Sequence, residues 1–355
     1  MTLRRSVFTA AAISATTVII AASVGFAQSP SASAPAGPVL KVVGAFATAI
    51  EEPWDGVINN ALKAEAAAGK IDYTYTDSLD DPAGQMEPFL RQSADAGPAI
   101  IFGDAFGDED TVRAVAADYP GVAFVFGSGG GPVDKNFSTF DNWIHEPAYL
   151  SGMLAGGLTK SNIIGVVGAM GIPEVNRLIN AYIAGAQFVN PAVDVKVSFI
   201  NSFFDPAAAK EAAAAQIGAG ADVLYAERDG VIEAAQQAGI LAIGNMSDQQ
   251  SLAPENVVTS VMWNMQPTVD YVLKQVAAGT YTAQDLKDFS MYAKGGAMLA
   301  PINTKVKGGV PQDLLDKVAQ REKDIQSGAF RVDINEGIPP GDVPGPGAPG
   351  ASPAG

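Results

Sequence analysis

Cysteine is absent from the 355-residue chain, and histidine occurs once, at His145. Without cysteine there is no disulfide, no thiolate zinc site, no iron–sulfur cluster and no cysteine nucleophile. Its absence also excludes a lipid anchor, which needs a cysteine after the leader. No HExxH, Walker A or nucleophile-elbow motif is present. His145, in "NWIHEPAYLSG", reads as a surface or hydrogen-bonded residue near a helix start. Clusters of positive charge are missing too: 22 Lys and Arg stand against 38 Asp and Glu, a formal net charge of −16. That balance argues against nucleic acid and anionic membrane surfaces as partners. "GSGGGP" (127–132) is glycine-rich, but no Lys-Ser/Thr follows it, so it reads as a loop and not a phosphate cradle. Nothing assembles into an enzyme, and no metal or cofactor is expected. A nucleoside hydrolase is disfavoured because no metal-type aspartate cluster stands near the N-terminus.

Long apolar runs are equally scarce. "VFTAAAISATTVIIAASV" follows Arg4 and Arg5 and leads to "GFA", with small residues before Ala27. This reads as a secretory signal peptide over 1–27. Its removal takes two positive charges and leaves a net charge of −18. A Ser/Ala/Pro linker covers 28–38. The end of the chain, "GIPPGDVPGPGAPGASPAG", is a Pro/Gly tail that cannot form a core, so disorder is expected over 336–355. The mature product is expected to be a free periplasmic monomer.

What is abundant is apolar sequence, 48% of the chain, arranged as short runs alternating with helical patterns. "LKVVGAF", "IDYTYT", "AIIFG", "VAFVFG", "NIIGVVGA", "VKVSFI", "DVLYA", "ILAIG" and "VVTSVMW" read as buried parallel strands. Trp54, Val57, Ile58, Ala61 and Leu62 share one helix face, as do Val175, Leu178, Ile179 and Tyr182. Repeated β–α–β–α predicts an α/β fold with parallel sheets covered on both faces. The pattern restarts at "SNIIGVVGAMGIPEVNRLINAYIAG", which predicts two similar lobes. Ligands of open α/β sheets bind beyond the strand C-termini, so the cleft between the lobes is the expected site.

The strand ends carry the candidate ligand-binding residues. In "IEEPWDGVIN", Pro53 suits a first helical turn, and Glu51 and Glu52 complement the helix N-terminus. Trp54 is open between core residue and ligand platform, and Asp55 could accept hydrogen bonds from ring N–H or amino groups. Acids around this helix start disfavour a phosphorylated ligand. "IIFGDAFGDED" places Asp104 and Phe106 past a buried run. "DVLYAERDG" offers Glu227 and Arg228, which could pair with each other, and Asp229, a possible N-cap. "AIGNMSDQ" offers Asn245 and Asp248, and "TSVMWNM" offers Trp263. Aromatic faces with a few carboxylates and amides suit a flat heteroaromatic ligand.

With these residues in place, the chain resembles the basic membrane protein family, the purine nucleoside receptor-like substrate-binding proteins of ABC transporters. The resemblance covers about 41–332. Its markers are "PWDGVINNAL", "EPAYLSGMLAG", "IIGVVGAMGIPEVNRLINAYIAGA", "SFFDPAAAKEAA", "GADVLYAERDGVIEAA", "AIGNMSDQ", "VVTSVMWN" and "GAMLAPIN". It implies a type I periplasmic binding fold with two lobes joined by three crossovers. The lobes are then expected at 39–144 with about 262–290, and at 145–261 with about 291–335. It also implies a purine base or nucleoside as ligand and an inner-membrane ABC permease as partner. Trp54 matches a stacking Phe of the family, Asp55 the following Asn, Phe106 a cleft-lining aromatic. Asp248 lies in the segment whose acid contacts ribose. The chain departs from the family where "AGGxG" becomes "AERDG" and "GVDxDQ" becomes "GNMSDQ". Trp263 stands where nucleoside binders often carry a sugar-contacting Lys. These losses favour a base such as adenine at least as much as a nucleoside. A sugar or other small polar solute, or a sensor role, is the alternative.

Overall fold

The computed structural model describes residues 39–79, 84–127, 130–340 and 342–343. The expected signal peptide and linker, part of the glycine-rich loop and 344–355 lie outside the described residues.

The first half runs β1 (Leu40–Ala45), α1 (Pro53–Ala67), β2 (Ile71–Thr76), α2 (Met86–Asp95), β3 (Ile100–Asp104), α3 (Glu109–Asp118), β4 (Ala123–Gly127) and β5 (Phe137–Phe140). Its strands form one parallel sheet in the order β2-β1-β3-β4-β5. After α4 (His145–Leu158) the alternation restarts with β6 (Ile163–Gly168), α5 (Pro173–Val189), β7 (Asp194–Phe199), α6 (Pro206–Gly218), β8 (Val223–Ala226), α7 (Val231–Ala238), β9 (Leu241–Met246) and β10 (Val257–Trp263). These strands are parallel and ordered β7-β6-β8-β9-β10, the same winding as the first sheet. α8 (Gln266–Ala277), β11 (Ala297–Leu299), α9 (Gln312–Ser327) and β12 (Asp342–Val343) complete the chain.

The nine strand runs read from the sequence all form strands. β5 was not among them. It has only four residues and carries Ser138 and Thr139, so its apolar signal is short, yet all four are buried. β11 departs from the all-parallel expectation by pairing antiparallel with β10. The chain passes between the lobes between β5 and α4, between β10 and α8, and ahead of β11. The segment after β10 belongs with the first lobe: Tyr281 OH donates to Ser138 Oγ (2.7 Å) and Leu286 N to Thr139 O (2.7 Å). β10 itself lies in the second sheet through Trp263, so this return starts slightly later than the expected 262. The tail also differs from expectation. Residues 333–340 lie along α5, and Asp342–Val343 pair in parallel with Val197–Ser198 of β7.

α4 and α5 cross at backbone contact because glycine removes the side chains between them. A Cβ on Gly152 would lie 2.0 Å from Tyr182 O, and one on Gly185 would lie 1.9 Å from Tyr149 O. The contact points on α5 are Tyr182, Gly185 and Ala186, and Val175, Leu178, Ile179 and Tyr182 of the same helix are fully buried. Gly185→Ala is therefore expected to cost about 1–3 kcal/mol by overpacking in urea unfolding; a neutral substitution would contradict so close a crossing.

Candidate functional site

A cavity of about 580 Å³ lies between the lobes at the C-terminal ends of their strands. Thr48, Trp54, Asp104, Phe106, Thr139 and Phe140 line it from the first lobe, and Glu174, Arg177 and Phe203 from the second. Asp141 and Trp143, from the first crossover, Lys287, and Glu336 from beyond α9 complete the wall. The volume falls within the usual range for small-ligand sites.

The turn after β1 sets one side. Glu52 is the N-cap of α1, and its Oε2 accepts from Trp54 N (2.8 Å) and Asp55 N (3.1 Å). Pro53 opens the helix with its fixed φ. This holds Trp54 at the cavity, 5.6 Å from Phe140 and stacked at 18°, and 5.1 Å from Trp263. The end of β4 comes close beneath the indole, since a Cβ on Gly127 would lie 1.7 Å from its ring. Trp54 is thus half-buried in an aromatic cluster and still lines the cavity. Glu52 complements the helix start as expected, and it does so while only 2% exposed. Its Oε1 accepts from Arg228 Nη1 (3.0 Å) in the other lobe. Arg228 also binds Glu227 Oε1 (2.7 Å) and Phe203 O (2.8 Å), and Glu227 Oε2 accepts from Ala169 N (2.9 Å). Burial lifts the Glu52 and Glu227 carboxyls above the ordinary range, and the Arg228 charge opposes that shift.

The second lobe supplies a polar helix start. Pro173 opens α5, and Glu174 and Arg177 follow one turn apart. Glu174 Oε1 accepts from the buried Asn142 Nδ2 (2.6 Å). Its carboxyl is pushed up to about 8, chiefly by burial and then by the charges of Asp141 and Glu227. The upward shift favours the protonated form, which can donate a hydrogen bond. Arg177 is 2% exposed, paired with Asp141 and Glu336, and lies 4.3 Å over the Trp143 ring. Phe203 meets Phe106 edge-on across the lobes at 4.8 Å.

Of the residues expected from sequence, Trp54, Asp104 and Phe106 line this cavity. The other six do not. Asp55 is fully buried, and its Oδ2 accepts from Thr48 N (2.9 Å) and Thr48 Oγ1 (2.8 Å). Burial, then the charges of Asp104 and Glu52, raise its carboxyl well above the usual range. Glu227 and Arg228 are engaged with each other and with Glu52. Asn245 is 2% exposed and accepts from Tyr225 OH (2.9 Å). Asp248 is exposed and accepts from Gln250 N (3.1 Å). Trp263 is 3% exposed behind Trp54, with its indole N–H on Ser290 Oγ (3.0 Å). Asp229 is not an N-cap: Gly230 takes that place, and Asp229 accepts from Gln249 Nε2 (3.2 Å). His145 is buried and not at the surface; burial, then Arg177, push its imidazole down to about 4.

Sequence reasoning passed over Glu174, Arg177, Phe203, Trp143, Lys287 and Glu336. A signal existed for the first two, since "GIPEVNRL" repeats the strand–Pro–acid layout of "IEEPWDG", and an Arg inside an apolar helix needs a partner. Phe203 in "SFFDP" stands at a strand end like Phe106. Among the described residues no group of His, Cys, Asp and Glu could hold a metal ion, and no helix is long and apolar enough to cross a membrane.

The buried Glu52–Arg228–Glu227 set yields a stability test. Removing the shared cation strands two desolvated carboxylates. Arg228→Met should cost about 3–5 kcal/mol in urea unfolding, and adding Glu52→Gln with Glu227→Gln should recover most of it. A loss below about 1 kcal/mol, the value of a surface pair, would contradict the assignment.

A family model described as ABC transporter substrate-binding protein, PnrA-like, matches residues 47–296. A putative ABC transporter glucose-binding protein of Haloferax volcanii is 33% identical over 72% of this chain, which spans 63% of that protein's length. A purine-binding protein of Brucella abortus is 32% identical over 74% of this chain and 73% of its own length. An ABC transporter nucleoside-binding protein of Lactococcus lactis is 28% identical over 73% of this chain and 70% of its own length. Among solved structures, an ABC transporter solute-binding protein from Conexibacter woesei superposes with a TM-score of 0.68 at 25% identity, covering 83% of this chain and 99% of its own. One from Aeropyrum pernix gives 0.70 at 18% identity, covering 83% and 94%. The fold is thus the type I periplasmic binding fold, and the chain belongs to the Bmp family of PnrA-like ABC transporter substrate-binding proteins.

Proposed function

We propose that the protein is the periplasmic receptor of an ABC importer and carries a purine base, adenine-like, or a nucleoside in its inter-lobe cavity. One observation carries this reading. Aromatic rings from both lobes and from the crossover, Trp54, Phe106, Phe140, Trp143 and Phe203, converge on one cavity with Asp104, Asp141 and Glu174 among them. Rings supply flat contact area. Carboxyl groups at their edges match ring N–H and amino groups, and Glu174 in its protonated form matches a ring nitrogen acceptor. The acid-rich wall repels phosphate. The names of the Brucella and Lactococcus relatives support the same ligand class.

Binding draws the lobes together about the three crossovers, and the closed form docks on a membrane permease. The protein works as an exported monomer and performs no catalysis. A second reading, a sugar receptor, draws on the Haloferax relative and on the fact that sugars also stack on rings and bond to acids.

Isothermal titration with adenine, adenosine and glucose separates the readings. Adenine is expected to bind at least as tightly as adenosine, and glucose not at all. Much tighter adenosine would move the ligand to nucleosides, and tight glucose alone would overturn the purine reading. Trp54→Ala should weaken adenine at least about tenfold, since base–aromatic stacking contributes about 1–3 kcal/mol per base.

A further inference from the structure

One wall of the cavity does not come from a strand-end loop. Residues 333–340, past α9, run along the N-terminal half of α5, and three polar side chains of that helix hold them. Asn176 Nδ2 donates to Glu336 O (3.0 Å), and Asn180 Nδ2 donates to Asn335 O (2.9 Å) and Gly337 O (2.8 Å). Arg177 Nη1 donates to Glu336 Oε1 (3.1 Å). Asn176 and Arg177 are 2% exposed and Asn180 is 8% exposed. Buried amides need partners, so the helix is built to receive this segment. Ile338 comes within van der Waals reach of the Gly171 position beside Phe199, and β12 extends the sheet at β7. The Glu336 carboxylate is thereby set into the cavity wall. The family match ends at residue 296, so this wall lies beyond the matched region.

We propose that residues 333–340, held on α5 and followed by the β12 pairing at 342–343, are a strap that completes the ligand cavity, with Glu336 as a ligand-site carboxylate that also positions Arg177 through their ion pair. The proposal rests on the cavity being the purine site argued above. Asn335, Glu336, Gly337 and Ile338 are solvent-exposed on their outer side, so the grip is the row of hydrogen bonds to α5. Loosening that grip opens an exit without disturbing either sheet. The effect therefore falls on ligand release, where most affinity differences between related complexes arise.

Stopped-flow tryptophan fluorescence with adenine as the probe compares the full chain, a chain ending at Val332, Asn180→Leu and Glu336→Gln. Asn180 does not line the cavity, so Asn180→Leu reports on the strap alone. Adenine should leave the truncated and Asn180→Leu proteins about tenfold faster, the effect expected from losing the two amide–carbonyl hydrogen bonds of Asn180. Glu336→Gln should show a smaller increase. Equal release rates in all four overturn the proposal. If the shortened chain does not fold, the two point variants decide by the same criterion. If the full chain binds no adenine, the purine reading fails, and hydrogen exchange of the ligand-free proteins decides on the strap. Faster exchange of amides 174–180 in Asn180→Leu supports it, and unchanged exchange overturns it.

Discussion

The guanidinium of Arg228 ties the two lobes together through Glu52, and the rest of the site follows from that contact. Glu52 does two things at once. One carboxylate oxygen caps α1 and so places Trp54, and the other takes the charge from the opposite lobe. The cap fixes the indole against Phe140 and Trp263, and the cross-lobe bond brings the Phe203 segment over the Phe106 loop. Both partners are almost fully desolvated, so the pair acts as a geometric constraint more than as a source of net stability. It specifies where the second lobe sits when the cleft is shut. The turn that places Trp54 at the cavity is thus also a cross-lobe contact.

Charge defines what the cavity accepts. Acids outnumber bases on its wall, and the bases present are already committed: Arg177 to Asp141 and Glu336, Lys287 to Asp285. An anion would meet more acids than bases there. Aromatic faces from both lobes and the carboxyl groups of Asp104, Asp141 and Glu174 line the same cavity, an arrangement that suits a flat ring with polar edges. Glycine at 127 lets the first sheet approach the indole from below.

Most of the fold was legible because it rests on periodicity. Nine apolar runs and a restart at β6 were enough to give two wound sheets and a cleft between them. β5 escaped because four residues containing Ser138 and Thr139 carry too little apolar signal, and β11 because a run of three residues, though apolar, is too short to show a period. The site was legible only in part. Position past a strand end says that a side chain is near the cleft, and it does not say which way it points. Trp54, Asp104 and Phe106 point inward, whereas Asp55 turns back onto Thr48 and Asn245 onto Tyr225. Arg228 finds its carboxylate partner 176 residues away, and no local pattern announces such a pairing. Glu336 is likewise 159 residues from its partner Arg177, in a Pro/Gly-rich stretch whose composition suggests disorder. Asn176 and Asn180, buried on an otherwise apolar helix, were the available hint that something polar must dock there.

The central claim is that this cavity holds a flat purine ring. Mass spectrometry of the small molecule released on denaturing the protein, purified from its own host without added ligand, tests it most directly. The account predicts adenine or a closely related purine base or nucleoside. A hexose or another non-aromatic solute in its place would contradict it.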